Sequence, residues 1–410
     1  MIDLKRLSAD PDYRRNVERK RVRPGLVDEV VDLYTRSRQH SSQIQQLRAE
    51  QKRRSKEARG QPSDELRELA SLVKEREAQL RDDEARLREL ALQLPNAADD
   101  SVPEGGEDDG EVLRTVGSPG AAPALDHAAF GDAMGFVDMP RAAETSGSRF
   151  AYIMREAALL ELALVTYAMN TVARHGFVPV VPPTLVRERT MEEAGFFPTD
   201  RSQVYGVDDG ELFLVGTSEV PLSAIHRDEI LTPDLLPARY GGFSSCFRRE
   251  AGTHGKDTRG IFRVHQFDKV EMFSYVEPHL SNDEHDLILS IEEEIIGGLG
   301  IPYRVVNIAS GDLGAAAAKK YDIEGWLPSE DRYRELTSCS NYTDYSARRL
   351  RTRVKSDRGT ELVHTLNGTG CAISRTLVFL FEHYQDPDGR FAVPDVLRPY
   401  TTFETVEPRK

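Results

Sequence analysis

The sequence predicts an α+β chain: an N-terminal antiparallel α-helical coiled-coil arm, then a domain built on a largely antiparallel β-sheet flanked by helices. Three observations carry this. The composition turns sharply near residue 95, from aromatic-poor and rich in Arg, Glu and Gln to mixed. The stretch before that turn holds a heptad seam. After it, strand-like pieces follow one another too closely for helical crossovers, which favours antiparallel pairing.

The arm comes first. Leu66, Leu69, Val73, Leu80, Leu87, Leu90 and Leu94 keep a heptad register, with Arg76 and Asp83 at the two seam positions that lack an apolar residue. Upstream, Val27, Val30, Val31, Tyr34, Ile44 and Leu47 form a similar stripe. The run GQPS at 60–63 separates the two helices, since neither Gly nor Pro continues a helix cheaply. At 1.5 Å per residue the hairpin should be roughly 50 Å long. The first helix ends in LRAEQKRRSKEAR, and its cations suit both a solvated helix surface and a phosphate-facing edge.

A linker follows, PNAADDSVPEGGEDDGE at 95–111, where Pro, Gly and acidic residues have no period. The domain boundary is expected at 112/113, giving 1–112 and 113–410. SRFAYIMREAALLELALVTYAMNTVARHG at 148–176 predicts a long amphipathic helix closed by Gly176. VPVVPPTLV is extended. ELFLVG, GFSSCFRRE, IFRVHQFDKVEMFSYV, PYRVVNIA, YRELTSCSNY and ELVHTLNG read as strands, interrupted by helices in SNDEHDLILSIEEEIIGGLG and AISRTLVFLFEHYQ.

Composition bounds the function. The net charge of −14 over 410 residues argues against a chain that coats nucleic acid along its length, though not against a local basic surface. The three cysteines lie far apart, without zinc spacing, and their odd number suits a reducing compartment. No signal peptide or run of about 18 apolar residues is present, so no membrane partner and a cytoplasmic location are expected. P-loop, HExxH and GxSxG patterns are missing, and NGTGCAIS keeps only a fragment of GxGxxG.

The chemistry concentrates in FRREAGTHGKDTRGIFRVHQFDKVE, residues 247–271. Arg263, Phe267 and Glu271 recur at intervals of four, which on one strand places a cation, an aromatic and an anion on one face. Arg248 beside Glu250 adds a guanidinium suited to phosphate oxygens. Any one of these alone would be an ordinary surface ion pair; together they suit a polyanion carrying a flat ring. Arg375, at a helix start behind a Gly-rich approach, adds to an anion site. Glu335 with Ser338 in RELTSCSN suits either Mg²⁺ completed by phosphates or a plain strand end. Thr217 and Glu219 in GTSEVPL suit either an ammonium grip or a helix N-cap.

Taken together, these segments resemble the seryl-tRNA synthetase family of class II, bacterial type, over nearly the whole chain. HGFVPVVPP is similar to motif 1, whose strand Pro182 or Pro183 would end. FRRE and RVHQFDKVE resemble motif 2, NGTGCAISRT resembles motif 3, and GTSEVPL and RELTSCSN resemble serine-enzyme segments; the class I signatures HIGH and KMSKS are absent. The resemblance implies a class II sheet domain that activates L-serine with ATP and Mg²⁺ and transfers it to tRNA(Ser), with tRNA(Sec) an open second acceptor. It implies a homodimer whose arm leaves the body and grips tRNA across the dimer.

By the same resemblance Arg248 holds the α-phosphate, with Arg249 beside it, and Glu250 orients the adenosine end. Arg263 and Arg375 bracket the β- and γ-phosphates. Val264, His265, Gln266 and Phe267 line the adenine slot, Phe267 by stacking. Glu335, Leu336, Thr337 and Ser338 complete the ATP site, Glu335 and Ser338 holding Mg²⁺. Thr217, Ser218, Glu219, Glu271, Asn367 and Thr369 surround serine; the family often has Ser where this chain has Thr369, which adds a methyl near the substrate. Lys52, Arg53, Arg54, Lys56 and Arg59 meet tRNA.

Three other readings compete. An enzyme loading a carrier protein would lack the heptad hairpin, and an interaction protein would have no reason to keep Arg248, Glu271 and Arg375 together. A duplicate synthetase feeding a biosynthetic pathway would read the same.

Overall fold

The computed structural model describes all residues except 58–63, 253, 254, 256, 258, 357, 358, 409 and 410, and the side chain at 208. The chain forms two compact units, Met1–Asp100 and Ser101–Lys410.

The first unit opens with two short helices that the sequence reading did not assign, α1 (Leu4–Ala9) and α2 (Pro11–Glu18). Their starts are chemically explicit. Asp3 accepts from the Lys5 and Arg6 amides, and Asp10 from those of Asp12 and Tyr13, with Pro11 in the first turn. Two long helices follow, α3 (Leu26–Glu57) and α4 (Asp64–Ala91), each with two acidic residues in its first turn. The expected break at 60–63 lies outside the described residues.

Burial along the seam is graded. Val73, Leu87, Leu90 and Leu94 are buried, while Leu66, Leu69 and Leu80 are half-buried. The polar seam position Asp83 is matched from the facing helix: Arg36 donates to it from Nε at 2.9 Å, and His40 Nδ1 lies 3.2 Å away. Further pairs cross between the helices, Arg48–Glu77 at 2.6 Å and Arg54–Glu65 at 2.9 Å. The expected linker is divided. Ala98 donates to the Asn16 carbonyl within the first unit. In the second, Pro103 and Gly105 accept from the Ser310 and Gly311 amides.

The second unit is organised by an eight-stranded sheet. In chain order its strands are β1 (Glu111–Val116), β2 (Val178–Val180), β3 (Ala238–Phe247), β4 (Gln266–Val276), β5 (Tyr303–Asn307), β6 (Lys319–Leu327), β7 (Arg332–Asn341) and β8 (His364–Ala372). Their spatial order is β1-β5-β6-β7-β8-β4-β3-β2. Every pairing is antiparallel except β2 with β3. β1 and β6 were not assigned from the sequence. β1 lies at the end of the acidic stretch, and β6, KKYDIEGWL, carries charges that obscure its Tyr321/Ile323 alternation.

One face of the sheet is covered by α5 (Arg155–Arg174), α6 (Ser281–Gly298) and α7 (Ile373–His383). Leu160, Ala163, Leu164, Tyr167, Ala168, Thr171 and Val172 form the buried stripe of α5, at helical spacing. Its expected start at 148 moves to Arg155, because Tyr152 and Ile153 pair as a short strand. Two adjacent glycines on β3 open both faces. A Cβ on Gly241 would stand 2.9 Å from Val172, and one on Gly242 would stand 2.8 Å from Leu222. Adjacent strand residues point to opposite faces, so α5 packs beneath β3 and the short helix Glu219–Ser223 packs above it. The face above is left for chemistry.

Candidate active site

The site is built on the face opposite the three helices. Glu271 of β4 is paired with Gly242 and Thr369, so all three look upward. Glu219, at the start of the short helix, reaches the same place. Glu271 is fully buried and Glu219 is 4% exposed. Asn367 of β8 joins them: its Nδ2 donates to Glu219 Oε2 and to Glu271 Oε1, each at 3.0 Å. Lys269 pairs with Glu271, and the Tyr342 hydroxyl bonds Glu219. Burial, then the charge of Glu271, pushes the Glu219 carboxyl up to about 8. Thr217, Glu219, Tyr342 and Asn367 line one cavity together with Arg248, Ser338 and Lys320.

A second cavity adjoins it, lined by Arg248, Glu250, Phe262, Arg263, Val264, Phe267, Lys269, Glu335, Leu336, Thr337, Ser338, Thr369 and Arg375, with Ala372 and Ser374. Arg248 belongs to both. Its Nε donates to the Gly216 carbonyl at 3.2 Å, and its guanidinium lies 5.3 Å from the Phe267 ring centre. Arg263 donates to Glu250 at 2.6 Å, and Asp257 links Arg263 to Arg334. Arg375 lies 3.3 Å from the Glu335 carboxylate. Burial would raise the Glu335 carboxyl, but Arg375, Lys320 and Arg248 draw it down to about 2. The result is a ring above a cluster of guanidinium groups, with one firmly ionised carboxylate.

Several expected positions differ. Arg263 is not on β4, which begins at Gln266; it reaches Glu250 from the preceding loop. Arg248 and Glu250 lie past the end of β3, and Glu250 takes a left-handed backbone with φ 49°. Arg249 turns aside, its guanidinium 5.6 Å from the Tyr205 ring. His265 ties its Nδ1 to the Arg248 carbonyl at 2.9 Å and packs on Phe150. Gln266 lines a third cavity, beside Glu161 and Asp268, that shares Val264, Phe267 and Ser374 with the second. Ser218 is buried against Ser244, oxygen to oxygen at 2.7 Å. On α3, Lys52, Arg53 and Lys56 are exposed, Arg53 and Arg54 hold Glu50, and Arg59 lies outside the described residues.

Lys269, Lys320 and Tyr342 also line the site, outside the residues expected there. Lys269 had a signal, since it lies midway between Phe267 and Glu271 on the same strand face. Tyr342 directly follows RELTSCSN.

Among the described residues no group of three His, Cys, Asp or Glu side chains could hold a metal. Glu335 and Ser338 line one cavity and offer hard oxygens, which fits Mg²⁺ when phosphates and water supply the remaining ligands.

Comparison with known proteins follows the same division. Residues 1–98 match the model for the seryl-tRNA synthetase N-terminal domain, and 204–384 match the class II tRNA synthetase core domain (G, H, P, S and T). The chain is 46% identical to a serine–tRNA ligase of Acidothermus cellulolyticus, covering 100% of both. It is also 46% identical to serine–tRNA ligase 1 of Streptomyces avermitilis, covering 98% of this chain and 97% of that one. Among solved structures, the seryl-tRNA synthetase of Pyrococcus horikoshii complexed with ATP superposes with a TM-score of 0.95 at 37% identity, covering 100% of both chains.

The crowding of Glu219 and Glu271 sets an expectation for Asn367→Asp. A third carboxyl there would be protonated at low pH and charged at high pH. Its folded-state pKa is raised, so the penalty grows as pH rises through it. Urea denaturation should show a loss of about 2–3 kcal/mol at pH 8 and clearly less at pH 5.5. Equal losses at both pH values would mean that the carboxylates are not crowded.

Proposed function

Since the chain belongs to the seryl-tRNA synthetase family, we propose how its two adjoining cavities divide the work of a serine–tRNA ligase. The reaction joins L-serine to tRNA at the expense of ATP. The observation that carries the assignment is Asn367 spanning two buried carboxylates beside Arg248. That is a pocket lined by carboxylates, next to a cluster of guanidinium groups.

In this reading Glu219 and Glu271 take the serine ammonium, and Thr217, Asn367 and Thr369 close around its side chain. Arg248 holds the α-phosphate, Phe267 stacks on adenine, and Glu250 fixes Arg263 toward the polyphosphate together with Arg375. Glu335 and Ser338 would hold Mg²⁺, which supplies positive charge to the phosphate oxygens. The serine carboxylate is already ionised at neutral pH and attacks the α-phosphorus without a general base. A carboxylate–phosphorus bond forms, the bond to pyrophosphate breaks, and both electrons leave with pyrophosphate. Positioning and offset of developing charge by Arg248 do the remainder. The seryl group then passes to the 3′-terminal ribose hydroxyl of tRNA(Ser), and AMP leaves.

The helical hairpin is assigned to tRNA. Lys52, Arg53 and Lys56 are exposed near the end of α3, as phosphate contacts need. A homodimer is supported by an apolar surface on α5 and the segments after it. Leu159 is 47% exposed, Leu162 61%, Val178 55% and Val181 82%. The three free cysteines suit a cytoplasmic setting, and no helix among the described residues is long and apolar enough to cross a membrane.

ATP–pyrophosphate exchange run with each of the twenty amino acids tests the pocket: exchange with serine alone is expected, and exchange with another amino acid overturns the assignment. Arg248→Ala should lower serine-dependent exchange by about 10³-fold or more with unchanged circular dichroism. Deleting residues 35–92 should keep exchange and abolish tRNA charging; retained charging would remove the hairpin from tRNA binding. Sedimentation velocity should give twice the chain mass of 46.0 kDa, and Leu162→Asp should shift it toward the monomer.

A further inference from the structure

We infer that Glu292 is a positioning residue that fixes the floor of the serine pocket from beneath the sheet. This deepens the pocket assignment above and rests on it.

Glu292 belongs to a run of three glutamates on α6, and its neighbours in the run have ordinary partners. Glu293 pairs with Arg114, and Glu294 pairs with Arg174 and His175. Glu292 instead turns inward and is fully buried, among Ile288, Ile291, Ile295 and Ile296 of its own helix. A carboxyl in such a place is costly unless it is neutral or satisfied. Burial, then the charge of Glu271, pushes Glu292 well above the ordinary carboxylate range.

What it touches is the underside of the site. Thr337 Oγ1 donates to Glu292 Oε2 at 3.2 Å, and Glu292 Oε1, buried and without a hydrogen-bond partner among the described residues, lies against β8 at Gly368. The paired residues of β7 and β8 run from Asn341↔Leu366 to Cys339↔Gly368 and stop there. Beyond that point both strands continue, β7 to Thr337 and β8 to Thr369. Glu292 therefore bonds β7 and packs against β8 just where their own ladder ends.

Gly368 makes this approach possible. A Cβ there would stand 2.9 Å from Glu292 Oε1 and 2.3 Å from Ile288 Cγ2. Strand alternation does the rest. Gly368 faces down to Glu292, and Thr369 next to it faces up beside Glu271. An apolar side chain at 292 would leave the Thr337 hydroxyl without its acceptor. The β8 backbone at Gly368 would then lose the side chain it packs on from below, and Thr369 next to it would drift relative to Glu271.

Serine-dependent exchange on Glu292→Gln, Glu292→Asp and Glu292→Ala tests this. Gln keeps a neutral, equally long acceptor and should stay within about twofold of the parent in KM for serine. Asp withdraws the carboxyl, and Asp or Ala should raise KM for serine by about tenfold while KM for ATP changes less than twofold. If Ala does not fold, the contrast of Gln with Asp decides. Gln and Asp giving the same KM for serine, or KM for serine and ATP rising in parallel, would overturn the positioning role. A parent chain that exchanges with an amino acid other than serine would instead overturn the pocket assignment.

Discussion

The site depends on burying two carboxylates, Glu219 and Glu271, that share one amide. Two like charges out of water repel, and each also loses hydration. The structure offsets this in three ways. Asn367 donates to both, Lys269 pairs with Glu271, and Tyr342 donates to Glu219. The offset is incomplete, since Glu219 is pushed up to about 8. A cationic ligand completes it. On the assignment proposed above, an ammonium would meet a place short of positive charge, and the crowding of the two carboxylates would become binding energy for a zwitterion.

The sheet supplies the precision this needs. Glu271, Gly242 and Thr369 are held by ladder pairing, and Asn367 lies two residues from Thr369 on the same strand. The carboxylate pair thus rests on three adjacent strands and one short helix. Only glycine at 242 admits that helix so close to β3. The phosphate end is built differently. Arg248, Glu250 and Arg263 lie beyond the strand ends; Arg263 is ordered by Glu250 and Asp257, and Arg248 by the Gly216 carbonyl. Rigid backbone holds the carboxylate pair and a salt-bridged loop holds the guanidinium cluster, which suits the proposed division between amino acid and polyphosphate.

Much of this was legible in the sequence, with clear physical limits. The heptad seam was legible because a two-helix arm has little besides its seam to bury. Asp83 looked like a gap in that seam, because nothing local says that Arg36 lies across from it, 47 residues away. The motif residues were legible as a set because Arg, Phe and Glu on one short stretch are costly as core. Their exact placement was not. Period-two reasoning put Arg263 on a strand that begins at Gln266, and the loop returns it to Glu250 by an ion pair. β6 was hidden because its lysines and aspartate read as surface, yet Lys320 and Asp322 neutralise each other within 2.9 Å. Glu292 was hidden for a similar reason: three glutamates in a helix read as a solvated face, and only the packing shows one of them turned inward.

On the assignment proposed above, selection of serine would follow from the same polar economy. A pocket whose carboxylates, amide and hydroxyls are arranged for a hydroxyl-bearing ligand loses partners when alanine enters. Such a loss discriminates far more strongly than one missing methylene in an apolar pocket. Threonine presents the opposite problem, because it keeps the hydroxyl and adds a methyl, and polar matching cannot reject it. Rejection must be steric, so it depends on how closely the walls are held. Thr369 contributes a methyl of its own to that wall, and its backbone is fixed by pairing with Glu271 on one side. On the other side the β7–β8 ladder has already ended, and Glu292 takes its place from below. On the pocket assignment proposed above, a wall that excludes a single methyl would not rest on a strand whose ladder has ended on one side, and the buried Glu292 side chain is a compact way to hold it.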